Sequence, residues 1–470
     1  MARSEAPRPF DPRRQRPPAY GGVETSVSVT TISPAKRVEG ELRVPGDKSI
    51  SHRALMVAAA GTGDCTIRGL GTARDVSSTL SVLRPLADVI GPDLPAVEVE
   101  GSASSGSSWE ILVRGRTVGS WKNPGRTLDC GNSGTTIRTL LGLLAACDFQ
   151  ATLDGDESLR TRPMERIAEP LRRMGAAVST TDAGTPPITI RGGQLQGVEH
   201  RLPVPSAQIK TALLFAGLHA EGETVVAGGG ASRDHTERLL RYLGCSVDGS
   251  VDRLIVKSTH IQNVEVLDIP GDLSSAAFLL VAAALLPGSD LRVTGVGVNP
   301  TRAGILDVLR RFGARVDLED GSEACGEPRA TVRVRAGDRR ALHIGAAGVP
   351  AMIDELPLVA ILGAFADGET VIEGAAELRV KESDRIATTA AGLAALGVPV
   401  RTSPDGMVVT GNGRTGGGVV DSGGDHRIAM GFAVAGLAAD AEVTIRGWDA
   451  VGVSYPSFAS NLASILVPNG

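Results

Sequence analysis

The chain has 470 residues, too many for one core and natural for two domains of roughly 200 residues each. Apolar residues make up 42% and aromatic ones only 3%, so the core must be built from Ala, Val, Leu and Ile in many small helix–sheet contacts. A formal net charge of −5 argues against a general nucleic-acid binder. No apolar run is long enough to span a membrane, and Ala276–Leu286 reads as a buried helix.

Residues 1–26 are rich in Arg and Pro and poor in aliphatics, with no hydrophobic signal stretch, and are expected to form a disordered tail. The five cysteines (65, 130, 147, 245 and 325) form no C-x-x-C pair and no zinc set with the seven histidines. They read as reduced, mostly buried thiols of a cytoplasmic protein.

Along the chain one element recurs, a polar or Gly/Pro-bearing turn that runs straight into an Ala/Leu-rich helix. The copies are VPGDKSISHRALMVAAA from Val44, CGNSGTTIRTLLGLLAA from Cys130 and VPSAQIKTALLFAGL from Val204. IPGDLSSAAFLLVAAALL from Ile269, VPAMIDELPLVAILGAFA from Val349 and SGGDHRIAMGFAVAGLAA from Ser422 follow. Neighbouring copies lie roughly 65 to 85 residues apart, within the range of a large supersecondary repeat. A second element, Leu-x-x-apolar-Gly-x-x-Val, appears as LRRMGAAV, LRYLGCSV, LRRFGARV and LAALGVPV. Its glycines, at 175, 244, 313 and 397, are expected to end helices in the left-handed conformation before a strand begins. Six units of two helices and several strands predict two similar α/β lobes, residues 45–264 and residues 27–44 plus 265–470. The Gly-, Ser- and Pro-rich stretch 91–126 is expected to be a loop insertion in the first unit.

Each repeated helix starts with polar residues, and a helix N-terminus offers unpaired N–H groups and about half a positive charge. Six such starts converging between the lobes would suit anionic ligands. Cationic residues gather in the same segments: Lys48, Arg53, Arg138, Arg162, Lys381, Arg385 and Arg427. Arginine offers a bidentate fork to carboxylate or phosphate, and lysine a compact charge.

PGDKSISHRAL (45–55), GNSGTTIR (131–138), RPM (162–164), RVKESDR (379–385) and DHRIAM (425–430) together resemble the signature segments of the EPSP synthase family, in the same order. The resemblance runs from about Ile32 to the C-terminus. It implies the enolpyruvyl transferase fold, an α/β architecture of two lobes with three βαβαββ units each, which agrees with the repeat count. It further implies transfer of the enolpyruvyl group of phosphoenolpyruvate to the 5-hydroxyl of shikimate 3-phosphate, on the route to chorismate and aromatic amino acids. No metal and no organic cofactor are implied, and the expected protein is a monomer without nucleic-acid or membrane partners.

Position by position, the resemblance assigns Lys48, Ser49, Arg53, Ser206, Ala207, Gln208, Ser232, Asp354 and Lys381 to shikimate 3-phosphate. Lys48, Gly134, Arg162, Gln208, Arg385 and Arg427 match the phosphoenolpyruvate pocket. Capping alone is the alternative role for the serines, and a simple turn the alternative for Gly134. Asp354 matches the base at the 5-hydroxyl and Glu382 the acid that protonates C3, with Lys48 at the departing phosphate and His426 as helper or structural hydrogen-bonder. A glutamate donates a proton near neutrality only if burial or negative charge raises its pKa, and Lys381 and Arg385 work against that.

Three positions depart from the enteric-bacterial form: Val453 in place of a lysine, His235 of a tyrosine and Glu377 of an asparagine. They resemble the family's divergent second class. Gly134 keeps the open position associated with glyphosate sensitivity, so glyphosate is an expected inhibitor. A UDP-N-acetylglucosamine enolpyruvyl transferase is the nearest rival, but the stretch before Arg162-Pro163 is DGDESLRT and lacks that family's cysteine. A non-catalytic anion-binding paralogue would be expected to lose Asp354, Glu382 or Lys48, and a nucleic-acid-end enzyme is disfavoured by charge.

Overall fold

The computed structural model describes residues 28–90, 108–230 and 232–467; the expected tail at 1–26 lies outside them. Six inner helices start where the repeated turns end: Lys48–Ala60, Gly134–Leu144, Ala207–Gly217, Leu273–Leu285, Leu356–Ala364 and His426–Ala438. Every residue of Leu273–Leu285 and of Leu356–Ala364 is buried. This explains why these sequences are apolar all round, with no polar face. The outer helices, such as Glu165–Arg173 and Gly304–Phe312, bury one face only. Gly175, Gly244, Gly313 and Gly397 follow outer helices with φ of +108°, +75°, +116° and +81°, as their spacing predicts.

The small sheets of the first five units share one four-strand pattern, with a fifth strand added in the fourth unit, and the sixth unit has three strands. In the second, Leu128–Asp129 runs parallel to Gln150–Asp154, which pairs antiparallel with Ile188–Arg191, itself antiparallel to Ala177–Ser179. The fifth unit repeats this with His343–Ile344, Asp367–Ile372, Gly406–Asn412 and Val400–Ser403. Val29–Ile32, near the beginning of the chain, pairs with Val443–Arg446 of the sixth unit.

Two sequence expectations need correction. Ser108–Gly115, within the supposed insertion 91–126, is a strand between Gly63–Gly71 and Asp88–Ile90. Its alternation of buried and exposed residues is masked in sequence by the Gly- and Ser-rich segment before it. The division after residue 264 also falls too early, because Val266–Asp268 pairs in parallel with Gly63–Gly71 of the first lobe. Conversely, Arg37–Leu42 pairs in parallel with Asp290–Gly297 of the second lobe. The lobes thus exchange lead strands, and the chain crosses between them twice, at 43–47 and at 269–272. The crossings lie side by side: Asp47 N donates to Pro270 O and Asp272 N to Pro45 O, both at 2.8 Å.

Two hydrophobic clusters result. One runs from Ile50 to Ile269 and includes Cys325; the other joins Val38 and Val44 to residues from Leu273 to Ile465. All five cysteines are buried and free. Among the described residues no helix is long and apolar enough to cross a membrane.

Candidate active site

The inner helix starts are joined into one polar network. Asp47 accepts from Ile50 N, Ser133 from Thr136 N, Ser206 from Ile209 N, Asp272 from Ser274 N and Asp425 from Arg427 N. These caps settle the first-turn N–H groups and hold each start in place. Ser206 is thus a cap; Ser49 is not, since Asp47 does that work.

On the second-lobe side Asp354 sits in a short 3-10 turn, Ile353–Glu355, immediately before an inner helix. Its carboxylate lies 2.7 Å from Arg233, 3.3 Å from Arg385, and 3.9 Å from both Lys381 and Arg427. Burial alone would raise its pKa, but Arg427, Lys381, Arg233 and Arg385 outweigh that and hold it well below the usual carboxylate range. Arg385 is itself buried, with Glu382 at 2.6 Å and Asp425 at 2.8 Å. Glu382 has a pKa lowered to about 2, because Arg385, His426 and Lys48 overcome its burial. The raised value required of a proton donor is therefore not a property of the free site.

Lys48 begins the first inner helix and donates to Asp75 Oδ2 at 2.8 Å. Burial disfavours its charge, but Asp75 and Glu382 raise its pKa above the ordinary value. His426, 5% exposed, is pushed down to about 3 by burial and by Arg427 and Lys48, so it is neutral at pH 7.

A second group forms around the start of Gly134–Leu144. Arg162 donates to Asn132 Oδ1 at 2.7 Å and Ser158 Oγ at 3.2 Å. Arg138 donates to Gln208 Oε1 at 2.9 Å, and Gln208 to Thr135 Oγ1 at 3.1 Å. Gly134 is the first helical residue, with no positive φ, so the turn-glycine alternative does not hold. A Cβ there would lie 2.7 Å from Arg138 Nη1 and 3.1 Å from Arg162 Nη1, so glycine keeps room for both guanidinium ends.

The remaining positions are placed differently. Ala207 opens its helix, and Ser232 Oγ donates to Gly229 O at 2.6 Å. Arg53 is 3% exposed, and its nitrogens donate to Thr236, Thr211 and the Ser49 carbonyl. Lys381 also meets Glu377 at 3.2 Å. His235, one of the departures, is buried with Nδ1 2.8 Å from Glu327 across the lobe boundary. Val453 lies in the short helix Val451–Ser454, which packs on Arg74–Leu83 of the first lobe, the helix that carries Asp75.

Sequence reasoning missed Asp75, Arg233, Glu355 and Asp425 as members of the site. Arg233 adjoins Ser232, and Asp425 stands in the DHR motif, so both were within reach. Asp75 had no motif to mark it. Among the described residues no group of His, Cys, Asp and Glu is arranged to hold a metal ion. The arrangement is a network of cations and carboxylates in which four cations share the single Asp354 carboxylate and one of them, Arg385, also holds Glu382. Such a site has fixed positive charge for anions and two groups able to exchange protons with them.

The sequence profile of the EPSP synthase (3-phosphoshikimate 1-carboxyvinyltransferase) family matches residues 32–462. The chain is 45% identical over 428 residues to the 3-phosphoshikimate 1-carboxyvinyltransferase of Desulfitobacterium hafniense, covering 91% of this chain and 95% of the relative. It is 47% identical over 433 residues to that of Halorhodospira halophila, covering 92% and 94% respectively. The solved EPSP synthase of Acinetobacter baumannii superposes with a TM-score of 0.82 at 40% identity, covering 93% of this chain and 97% of that one.

Proposed function

The chain belongs to the EPSP synthase family and has that family's activity in the shikimate pathway, and on that premise we propose how its residues divide the work. The reaction moves the enolpyruvyl group of phosphoenolpyruvate onto the 5-hydroxyl of shikimate 3-phosphate and releases phosphate. Glu382 delivers a proton to C3 of phosphoenolpyruvate while the 5-hydroxyl oxygen bonds to C2 and its proton passes to Asp354. A C3 proton then returns to the Glu382 carboxylate as the C2–O bond to phosphate breaks; the enol ether forms, and phosphate leaves with the proton that Asp354 had accepted. Lys48, Arg162, Arg385 and Arg427 neutralise the carboxylate and phosphate of the donor, and Gly134 leaves them room. Lys48, Ser49, Arg53, Ser206, Ala207, Gln208, Ser232, Lys381 and Asp354 receive shikimate 3-phosphate, and Gln208 also reaches phosphoenolpyruvate. His426 is a neutral neighbour of Glu382 that assists its proton transfer.

One observation carries this reading: four cations converge on the Asp354 carboxylate, and one of them, Arg385, also holds Glu382. Binding two multiply charged anions relieves that crowding, and the phosphate beside Glu382 supplies the negative charge that raises its pKa. His235, Glu377 and Val453 support placement in the family's second class, and Gly134 supports inhibition by glyphosate. The chain acts as a cytoplasmic monomer. The test is phosphate release from phosphoenolpyruvate that requires shikimate 3-phosphate and fails with UDP-N-acetylglucosamine; release with the UDP-sugar would reassign the acceptor.

A further inference from the structure

Arg302 is 4% exposed and joins the inner helix starts of both lobes. One terminal nitrogen donates to Asp47; the other donates to Asp272 Oδ1 at 2.6 Å and Ser274 Oγ at 2.7 Å. Asp47 and Asp272 are the N-caps of the first inner helix of each lobe, within the repeated Pro-Gly-Asp turns at 45–47 and 270–272. Those turns are the two interlobe crossings, bridged antiparallel at Gly46 and Gly271. From this point two arms reach the site. Asp272 Oδ2 accepts the backbone N–H of Lys48 at 3.2 Å. Ser274 Oγ donates to Glu355, whose Oε1 lies 3.4 Å from Arg427 Nη1.

We propose that Arg302 is a positioning residue for the transfer: one guanidinium, bound to both crossings, fixes Lys48 of the first lobe relative to Arg427 of the second. It touches no substrate. Without it two buried carboxylates, 2% and 7% exposed by residue, face each other at the crossings with no cation between them, and their repulsion moves the crossings apart. The planar fork matters, since an ammonium at that place lacks the geometry to serve Asp47, Asp272 and Ser274 at once. The inference rests on the roles given above to Lys48 and Arg427.

The test compares Arg302→Met and Arg302→Lys by steady-state kinetics in both substrates, calorimetric binding of shikimate 3-phosphate, and thermal melting. Arg302→Met is expected to lower kcat/KM for phosphoenolpyruvate about 100-fold, the effect of roughly an ångström of misplacement. Shikimate 3-phosphate should lose less, no more than about tenfold, since Ser206, Gln208 and Ser232 are held by first-lobe contacts and only Lys48, Lys381 and Asp354 among its partners depend on the crossings. Arg302→Lys should recover only part of the loss. Constants for phosphoenolpyruvate unchanged within about threefold, or equal losses for both substrates that track a lowered melting temperature, would overturn the proposal. If Arg302→Met does not fold, Asp272→Asn removes the charge and one of the two acceptor oxygens, keeping the other for Arg302 and Ser274. It should cost about tenfold in kcat/KM for phosphoenolpyruvate alone, and no change there would count against Arg302 equally. Phosphate release by the unsubstituted chain is the control: its absence would undo the functional reading, whereas normal release with unaffected variants undoes only this inference.

Discussion

Arg233 of the first lobe and Asp354 of the second meet at 2.7 Å, an ion pair that spans the space between the lobes. It adds to the charge of three second-lobe cations and helps hold the Asp354 carboxyl well below the usual range. Asp354 must be ionised to accept a proton, so the lowered value keeps the base competent in acid. Replacing Arg233 by Ala removes one cation and raises the Asp354 pKa. The acid limb of kcat/KM against pH should then move upward, and an unmoved limb would show that Arg233 does not act on the base.

Glu382 has the opposite requirement. In the free site its pKa is about 2, with Arg385 at 2.6 Å. Carbon-13 titration of its carboxyl should find that low value without ligands. With shikimate 3-phosphate and an unreactive phosphoenolpyruvate analogue bound, the value should rise by about two units or more, since the added phosphate opposes ionisation. A carboxyl that stays near its free value in the ternary complex cannot be the acid.

Gly134→Ala places a methyl 2.7 Å from Arg138 Nη1 and 3.1 Å from Arg162 Nη1. Both ends are flexible, so the fold tolerates the change and the cost falls on the anion pocket. The KM for phosphoenolpyruvate should rise several-fold, about 1 kcal/mol in binding, and the glyphosate inhibition constant should rise as well. Inhibition kinetics with both proteins would decide, and equal constants would mean that Gly134 does not border the pocket.

What the sequence made legible follows from what a residue type must do by itself. A glycine after an outer helix must supply a left-handed backbone, and a cap must accept N–H groups, so helix starts and ends stood out. The lead strand Val266–Asp268 did not, because three residues carry little periodicity and their partner lies about 200 positions away. Arg53 and Arg162 look alike in sequence. Their partners differ: Thr211 and Thr236 surround the first, and Asn132 and Ser158 hold the second. The same distance effect hid Asp75, whose partner Lys48 lies on another helix.

Buried histidines set the response to acid. Burial is the leading cause that lowers His52 and His426 to about 3 and His200 to about 4, while the ordinary value is 6.5. Between the ordinary and lowered values the unfolded chain binds more protons than the folded one. Stability is therefore full above about pH 6.5 and falls as pH drops toward 4, by about 1.4 kcal/mol per pH unit for each such histidine. Urea denaturation from pH 7.5 to 5 should show a steadily falling midpoint. A flat profile over that range would mean that these rings are protonated in the fold.

The central claim is that Asp354 and Glu382 move protons while the surrounding cations bind the anions. Pre-steady-state turnover of Asp354→Asn and Glu382→Gln, with binding of both substrates measured on the same preparations, tests it most directly. Each variant should bind both substrates within about tenfold and lose turnover by about a thousandfold or more. Turnover within about tenfold of the unsubstituted chain, in either variant, would contradict the assignment of that carboxyl.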